Sequence, residues 1–193
     1  MLTNLKKYNI ILGSNSPRRK TLLAGLDIDF EVRTISNIDE SYPDTLSEEE
    51  VPLYIAGNKA AAFLPFIREN ELLITADTVV VVDSQIVGKP ANKADAIHIL
   101  RLLSGRTHRV ITGVHLNTKE KSSHFSVVST VSFAQLDSEE INYYVDKYQP
   151  YDKAGAYGIQ EWIGYIGVES IEGSFYNVMG LPVQRLYREL QRF

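Results

Sequence analysis

Leu72-Leu73-Ile74-Thr75-Ala76-Asp77-Thr78-Val79-Val80-Val81-Val82 is an almost unbroken apolar run rich in β-branched side chains. Such a run reads as a strand covered on both faces, because a half-exposed strand would alternate polar and apolar residues. Working outward, residues 9–12 form a short apolar strand, 17–24 a helix closed by Gly25, and 30–35 another strand. Residues 52–67 have helical spacing, with Pro52 in a first turn that needs no N–H from it. Beyond the central run, Asp83-Ser84-Gln85-Ile86 reads as a hairpin. Residues 92–103 make a helix with Asn92 as its cap, Asp95 at the capping-box position and Gly105 past its end. Long strands are expected at 109–116 and 126–136, and helices at 138–147 and 182–190, the last with Pro182 in first position. Strands and helices mix without strict alternation. The expected fold class is therefore α/β, a twisted mixed sheet with flanking helices.

The chain has 193 residues, which suits one domain or two lobes around a central cleft. We take residues 1–193 as a single domain. Apolar residues make up 44% and charged residues 23%, with both signs interspersed, so a packed core is expected. A net charge of −4 argues against nucleic acid or an anionic membrane surface as partner, and any phosphate binding must be local. With no cysteine, a disulfide framework, a thiolate zinc site and a cysteine nucleophile are all excluded. The first residues are too polar for a signal-peptide core, and no apolar run approaches the ~20 residues of a membrane span. A cytoplasmic location is expected.

Five stretches carry candidate chemistry. In Gly13-Ser14-Asn15-Ser16-Pro17-Arg18-Arg19 a strand gives way to a helix, with Ser16 as cap and Pro17 at its first position. The free N–H groups of such a turn suit an anion, yet Arg18 and Arg19 stand where the helix dipole disfavours cations. Either a ligand supplies the negative charge, and guanidinium forks suit phosphate oxygens, or the two arginines are simply solvated. Asp77 is a carboxylate inside an apolar strand, costly unless paired, protonated or metal-bound. It suits a base for water or a ligand for Mg²⁺, or it is an Asp at a bend satisfied by backbone N–H groups. In Gly88-Lys89-Pro90 the lysine is either a point charge for phosphate or a surface residue, and no P-loop is present.

In Ser104-Gly105-Arg106-Thr107-His108-Arg109 strand alternation puts His108 and Arg109 on opposite faces, so a structural role fits best, and no second histidine lies near in sequence. Asp152-Lys153-Ala154-Gly155-Ala156-Tyr157-Gly158-Ile159-Gln160 reads as a glycine-rich turn leading into a strand. Asp152 and Lys153 are placed to pair, and Gln160 has an amide suited to a base edge. Glu40 and Lys59 stand out by nothing local. The Tyr143, Tyr144, Tyr148 and Tyr151 cluster is the one candidate for base stacking. Its acidic neighbours Glu139, Glu140 and Asp146 instead favour a helix that turns its aromatics inward.

In order along the chain, Gly-Ser-x-Ser-Pro-Arg-Arg, Ala-Asp-Thr-Val-Val, Gly-Lys-Pro, Ser-Gly-Arg-Thr-His, Asp-Lys-Ala-Gly-Ala-Tyr-Gly-Ile-Gln and Gly-Ser-Phe-Tyr-Asn-Val-Met-Gly-Leu-Pro resemble the Maf family of nucleoside triphosphate pyrophosphatases. The resemblance runs from about Ile10 to Leu190. It implies a two-lobed α/β fold with a deep cleft, a divalent metal (Mg²⁺ or Mn²⁺), a nucleoside triphosphate substrate and often a homodimer. It implies Asp77 as the catalytic acidic residue and Glu40 as a second carboxylate at the metal. It assigns Ser14, Arg18, Arg19, Lys59 and Lys89 to the triphosphate, and Arg19, Thr78 and Gln160 to substrate choice. Tyr-Gly-Ile-Gln resembles the dTTP/UTP branch. A rival function class is a non-enzymatic nucleotide-binding regulator of cell division, separable by assaying pyrophosphate release.

Overall fold

The computed structural model describes residues 2–193. The central run is one uninterrupted strand, β3 (Glu71–Val82), in which every residue but the half-buried Thr78 is buried. β1 (Asn9–Leu12) lies parallel to it, with Leu12 opposite Ile74, and β2 (Phe30–Val32) lies parallel to β1. Asp83 and Ser84 turn the chain with φ of 48° and 60°. Positive φ at both central residues matches the right-handed twist of a hairpin. It returns the chain as β4 (Gln85–Val87), antiparallel to β3. With β5 (Thr107–Asn117), β6 (Ser122–Phe133) and β7 (Val168–Glu172) the strands form a seven-stranded mixed sheet, ordered β2-β1-β3-β5-β6-β7 with β4 beside β3.

The helices are α1 (Pro17–Ala24), α2 (Glu50–Phe63), α3 (Lys93–Leu103), α4 (Ser138–Tyr148), α5 (Trp162–Gly167), α6 (Phe175–Val178) and α7 (Val183–Leu190). Several boundaries differ from expectation for visible reasons. β2 stops at Val32, because Arg33 turns to clasp the buried Glu71 carboxylate through two 3.0 Å hydrogen bonds. α2 begins before Pro52, because the Glu50 carboxylate accepts from Ser47 N (2.8 Å) and Ser47 Oγ (2.7 Å), organising a turn ahead of the proline. Asn92 caps α3 as expected, its side chain accepting from Asp95 N at 3.0 Å, while Asp95 accepts from Ala91 N at 2.8 Å. Pro182 is the cap of α7 rather than its first residue. The strand expected directly after the 152–160 turn is absent; α5 follows, and β7 only after it.

The chain divides into two compact units. Unit 1 comprises the chain up to Asp77, Thr112–Val127 and Gly180–Phe193. Ile11, Phe63, Ile67 and Leu73 pack at its core. α2 meets the strands backbone to backbone: a Cβ on Gly113 would lie 2.4 Å from Leu53 N, so only glycine fits. Thr75 Oγ1 donates to Ala56 O at 2.8 Å across the same contact. The last segment closes on the first, with Asn4 Nδ2 donating to Leu190 O at 2.8 Å. Unit 2 comprises Thr78–Ile111 and Val128–Met179, with α3 and α4 packed on Val80, Val131 and Phe133. No described helix is long and apolar enough to cross a membrane.

Candidate active site

In unit 1, Asp77 lies within the buried strand β3 at 8% exposure. Its Oδ1 lies 2.7 Å from Lys59 Nζ, and the same nitrogen lies 2.8 Å from Glu40 Oε1. Lys59 projects from α2, which Gly113 and Thr75 hold tight against the strands. Glu40 comes from the irregular chain before α2 and is exposed. Three residues distant in sequence thus converge on one cationic position.

Arg19 lies in the first turn of α1, where Ser16 Oγ accepts from Arg19 N at 3.4 Å and Ser14 Oγ accepts from Ser16 N at 3.2 Å. Its guanidinium is directed by two backbone carbonyls: Nε donates to Gly180 O and Nη1 to Ala76 O, both at 2.8 Å. Ala76 immediately precedes Asp77, so this guanidinium is tied to the strand that carries the carboxylate. Desolvation draws Arg19 below its usual range, against the raising influence of Asp77 and Glu40 and with the lowering influence of Arg18. The arginine is therefore not simply solvated. Arg18 is half-buried beside it.

In unit 2 the sequence candidates also draw together. Gly155 takes φ of 70°, and its N–H donates to Gly88 O at 3.1 Å. This ties the residue before the exposed Lys89 to the turn that leads to Gln160. Gln160 Oε1 is buried and has no hydrogen-bond partner among the described residues. Lys153 Nζ pairs with Asp152 Oδ1 at 2.8 Å, as expected, and also with Glu161 Oε1 at 3.2 Å. Thr78 is half-buried next to Asp77 in the chain.

Other candidates are structural. His108 is buried, bonds through Nε2 to Tyr157 Oη at 2.7 Å and sits edge-on to Phe133. Desolvation lowers it to about 4. Of the tyrosine cluster, Tyr144 turns fully inward, whereas Tyr143 stays 45% exposed with its ring edge on Trp162. Nothing in the local pattern marks the stacked His115 and His124, whose rings lie 5.1 Å apart on neighbouring strands. Only the strand register brings these two together. Glu161, which meets both Lys153 and Tyr144, was likewise missed.

Asp77 and Glu40 offer hard carboxylate oxygens converging on a point already held by a cation. That chemistry fits Mg²⁺ or Mn²⁺, which commonly take one or two carboxylates and complete their shell with water and substrate phosphates. No group of three or more His, Asp or Glu suited to a metal occurs among the described residues. An ion here would depend on a phosphate ligand for the rest of its shell.

The family described as Maf-like protein matches residues 9–193. A protein of Parabacteroides distasonis named dTTP/UTP pyrophosphatase is 65% identical over 193 residues, covering all of both chains. One of the same name from Flavobacterium johnsoniae is 46% identical over 186 residues, 96% of this chain and 95% of that one. Among solved structures, a HAM1 protein from Coxiella burnetii shares the fold at a TM-score of 0.50 and 15% identity, covering 96% of this chain and all of the other.

Proposed function

The chain belongs to the Maf-like protein family, and from that premise we propose that it hydrolyses nucleoside triphosphates, dTTP and UTP foremost, to the monophosphate and pyrophosphate. The observation that carries this is the convergence of Asp77 and Glu40 on one cationic position, with Arg19 tied to the same strand. Phosphoryl chemistry asks a protein mainly for positioning and charge stabilisation, and this arrangement supplies both.

Asp77 and Glu40 are the residues to hold a divalent ion. When bound, that ion neutralises triphosphate charge and lowers the pKa of a coordinated water. Asp77 orients the attacking water and accepts its proton. Water oxygen bonds to the α-phosphorus as the bond to the β-bridging oxygen breaks, and pyrophosphate leaves. In unit 1, Arg19, Arg18 and Lys59 offset the charge on the departing oxygens and Ser14 contributes a hydroxyl at the head of α1, while a triphosphate role for Lys89 rests on the family resemblance. Arg19's two carbonyl tethers fix its fork before substrate arrives, which limits the entropy lost on binding. Gln160 answers the base edge through its unpartnered Oε1, with Arg19 and Thr78 contributing to substrate choice. The choice of Mg²⁺ or Mn²⁺ and a homodimeric state rest on the family resemblance, and a cytoplasmic location rests on the polar character of the first residues.

The decisive test is product analysis on dTTP, UTP, CTP, ATP and GTP with added Mg²⁺ or Mn²⁺. Monophosphate and pyrophosphate in equal amounts are expected, fastest from dTTP and UTP. Orthophosphate and diphosphate as products would overturn attack at the α position. Tight nucleotide binding without turnover would favour the regulator instead.

A further inference from the structure

The turn that carries Gln160 is locked by residues that have no assigned role. Gly158 N donates to Tyr144 Oη at 3.0 Å, and Tyr144 Oη donates to the Glu161 carboxylate. Glu161 N donates back to Gly158 O at 2.9 Å, closing a tight turn around Ile159 and Gln160. The other Glu161 oxygen lies 3.2 Å from Lys153 Nζ. Tyr144 is fully buried on α4, so this clamp is anchored to the core of unit 2 rather than to solvent.

Steric closeness reinforces the lock. A Cβ on Gly158 would lie 2.8 Å from Glu161 Cδ, and one on Gly164 only 1.8 Å from Ile159 O. Glycine at both positions lets the carboxylate and α5 press directly on the turn. Within this rigid frame sits Gln160 Oε1, buried and unpartnered. Buried acceptors are nearly always answered, so an unanswered one on a braced turn points to a ligand donor.

We propose that Tyr144 and Glu161 are positioning residues for Gln160, holding its amide where it meets the N3–H of uracil or thymine and so setting the preference for these bases over purines. The inference rests on the base-reading role given to Gln160 above. An amide discriminates a base edge only when its backbone is fixed to within about 0.5 Å. Loosening the turn costs selectivity, because an amide free to move can settle against other bases.

The test compares Tyr144→Phe, Glu161→Ala and Glu161→Gln with the parent enzyme, each checked for a parent-like circular dichroism spectrum. Tyr144→Phe leaves Gly158 N–H and the Glu161 carboxylate without the phenol. Glu161→Ala removes the acceptor, whereas Glu161→Gln keeps an oxygen for the Tyr144 hydroxyl. In the first two, the kcat/KM ratio of UTP to GTP should fall about tenfold, the scale of one lost buried hydrogen bond. The rise in KM for UTP should exceed the fall in kcat. Glu161→Gln should recover most of the ratio, and inhibition by pyrophosphate, which has no base, should be unchanged in all three. A merely structural role would lower turnover for every nucleotide and leave the ratio intact, and that result would overturn the proposal. If Tyr144→Phe does not fold, the Glu161 pair decides alone. A parent enzyme with no preference for UTP would instead overturn the base-reading role, and this inference with it.

Discussion

The ammonium of Lys59 lies 2.7 Å from Asp77 Oδ1, so the most buried carboxylate of unit 1's candidate site has its counter-charge on α2. Asp77→Asn keeps the shape but removes both charge and basicity. Turnover should fall by at least about 100-fold, the low end for loss of a general base. The melting temperature should stay near that of the parent. Near-normal turnover in the variant would remove Asp77 from the chemistry. Lys59→Met is the complementary change: it strands Asp77 without its partner, so both activity and stability should drop.

Chelation should abolish turnover, and added Mg²⁺ or Mn²⁺ should restore it. Two carboxylates alone make a weak site, so metal affinity measured calorimetrically should rise steeply when a non-hydrolysable triphosphate is present. Undiminished pyrophosphate release in excess chelator would show that Asp77 and Glu40 act without an ion.

Arg19→Lys tests the fork rather than the charge. A lysine lacks the planar fork whose separate nitrogens meet Gly180 O and Ala76 O, so its single ammonium keeps the charge but not the tethered, oriented donors. KM for UTP should rise about tenfold, the order expected for a lost charge-assisted hydrogen bond. An unchanged KM would mean that the tethered guanidinium is structural only.

Burial draws His108 down to about 4 in the folded protein. In the unfolded chain it titrates near about 6.5. Between these values the unfolded state binds more protons, so stability is full above the unfolded value and is lost as pH falls toward the folded one. The gap corresponds to roughly 3 kcal/mol. His115, also drawn down by desolvation and by His124, acts in the same direction. Glu71, held low by the Arg33 guanidinium, adds its loss only at more acid pH. Urea denaturation of the parent and of His108→Phe at pH 7 and 5 should show a shallower pH dependence in the variant. Identical slopes would place the dependence elsewhere.

Strong local signals were legible from the residues alone. The apolar run became β3, Asn92 capped α3 through Asp95 N, and Ser16 capped α1 through Arg19 N. The α/β class followed from the mixture of strand-like and helix-like segments along the chain. What escaped were features decided at a distance. β2 ends early because Arg33 has a partner on β3, and α2 starts early because of Ser47. α5 and β7 are too short to show a period. Glu40 and Lys59 were selected only by the family resemblance, since nothing local marks them. Their meeting with Asp77 depends on how α2 seats against Gly113.

Unit 1 is assembled from three separated stretches, the last of them Gly180–Phe193. Its contacts therefore join residues far apart in the sequence, a topology of high contact order that slows folding. Gly180 O also orients the Arg19 guanidinium. Recovery of triphosphate binding during refolding would thus report the docking of Gly180–Phe193, making ligand affinity a clock for the longest-range contacts of unit 1.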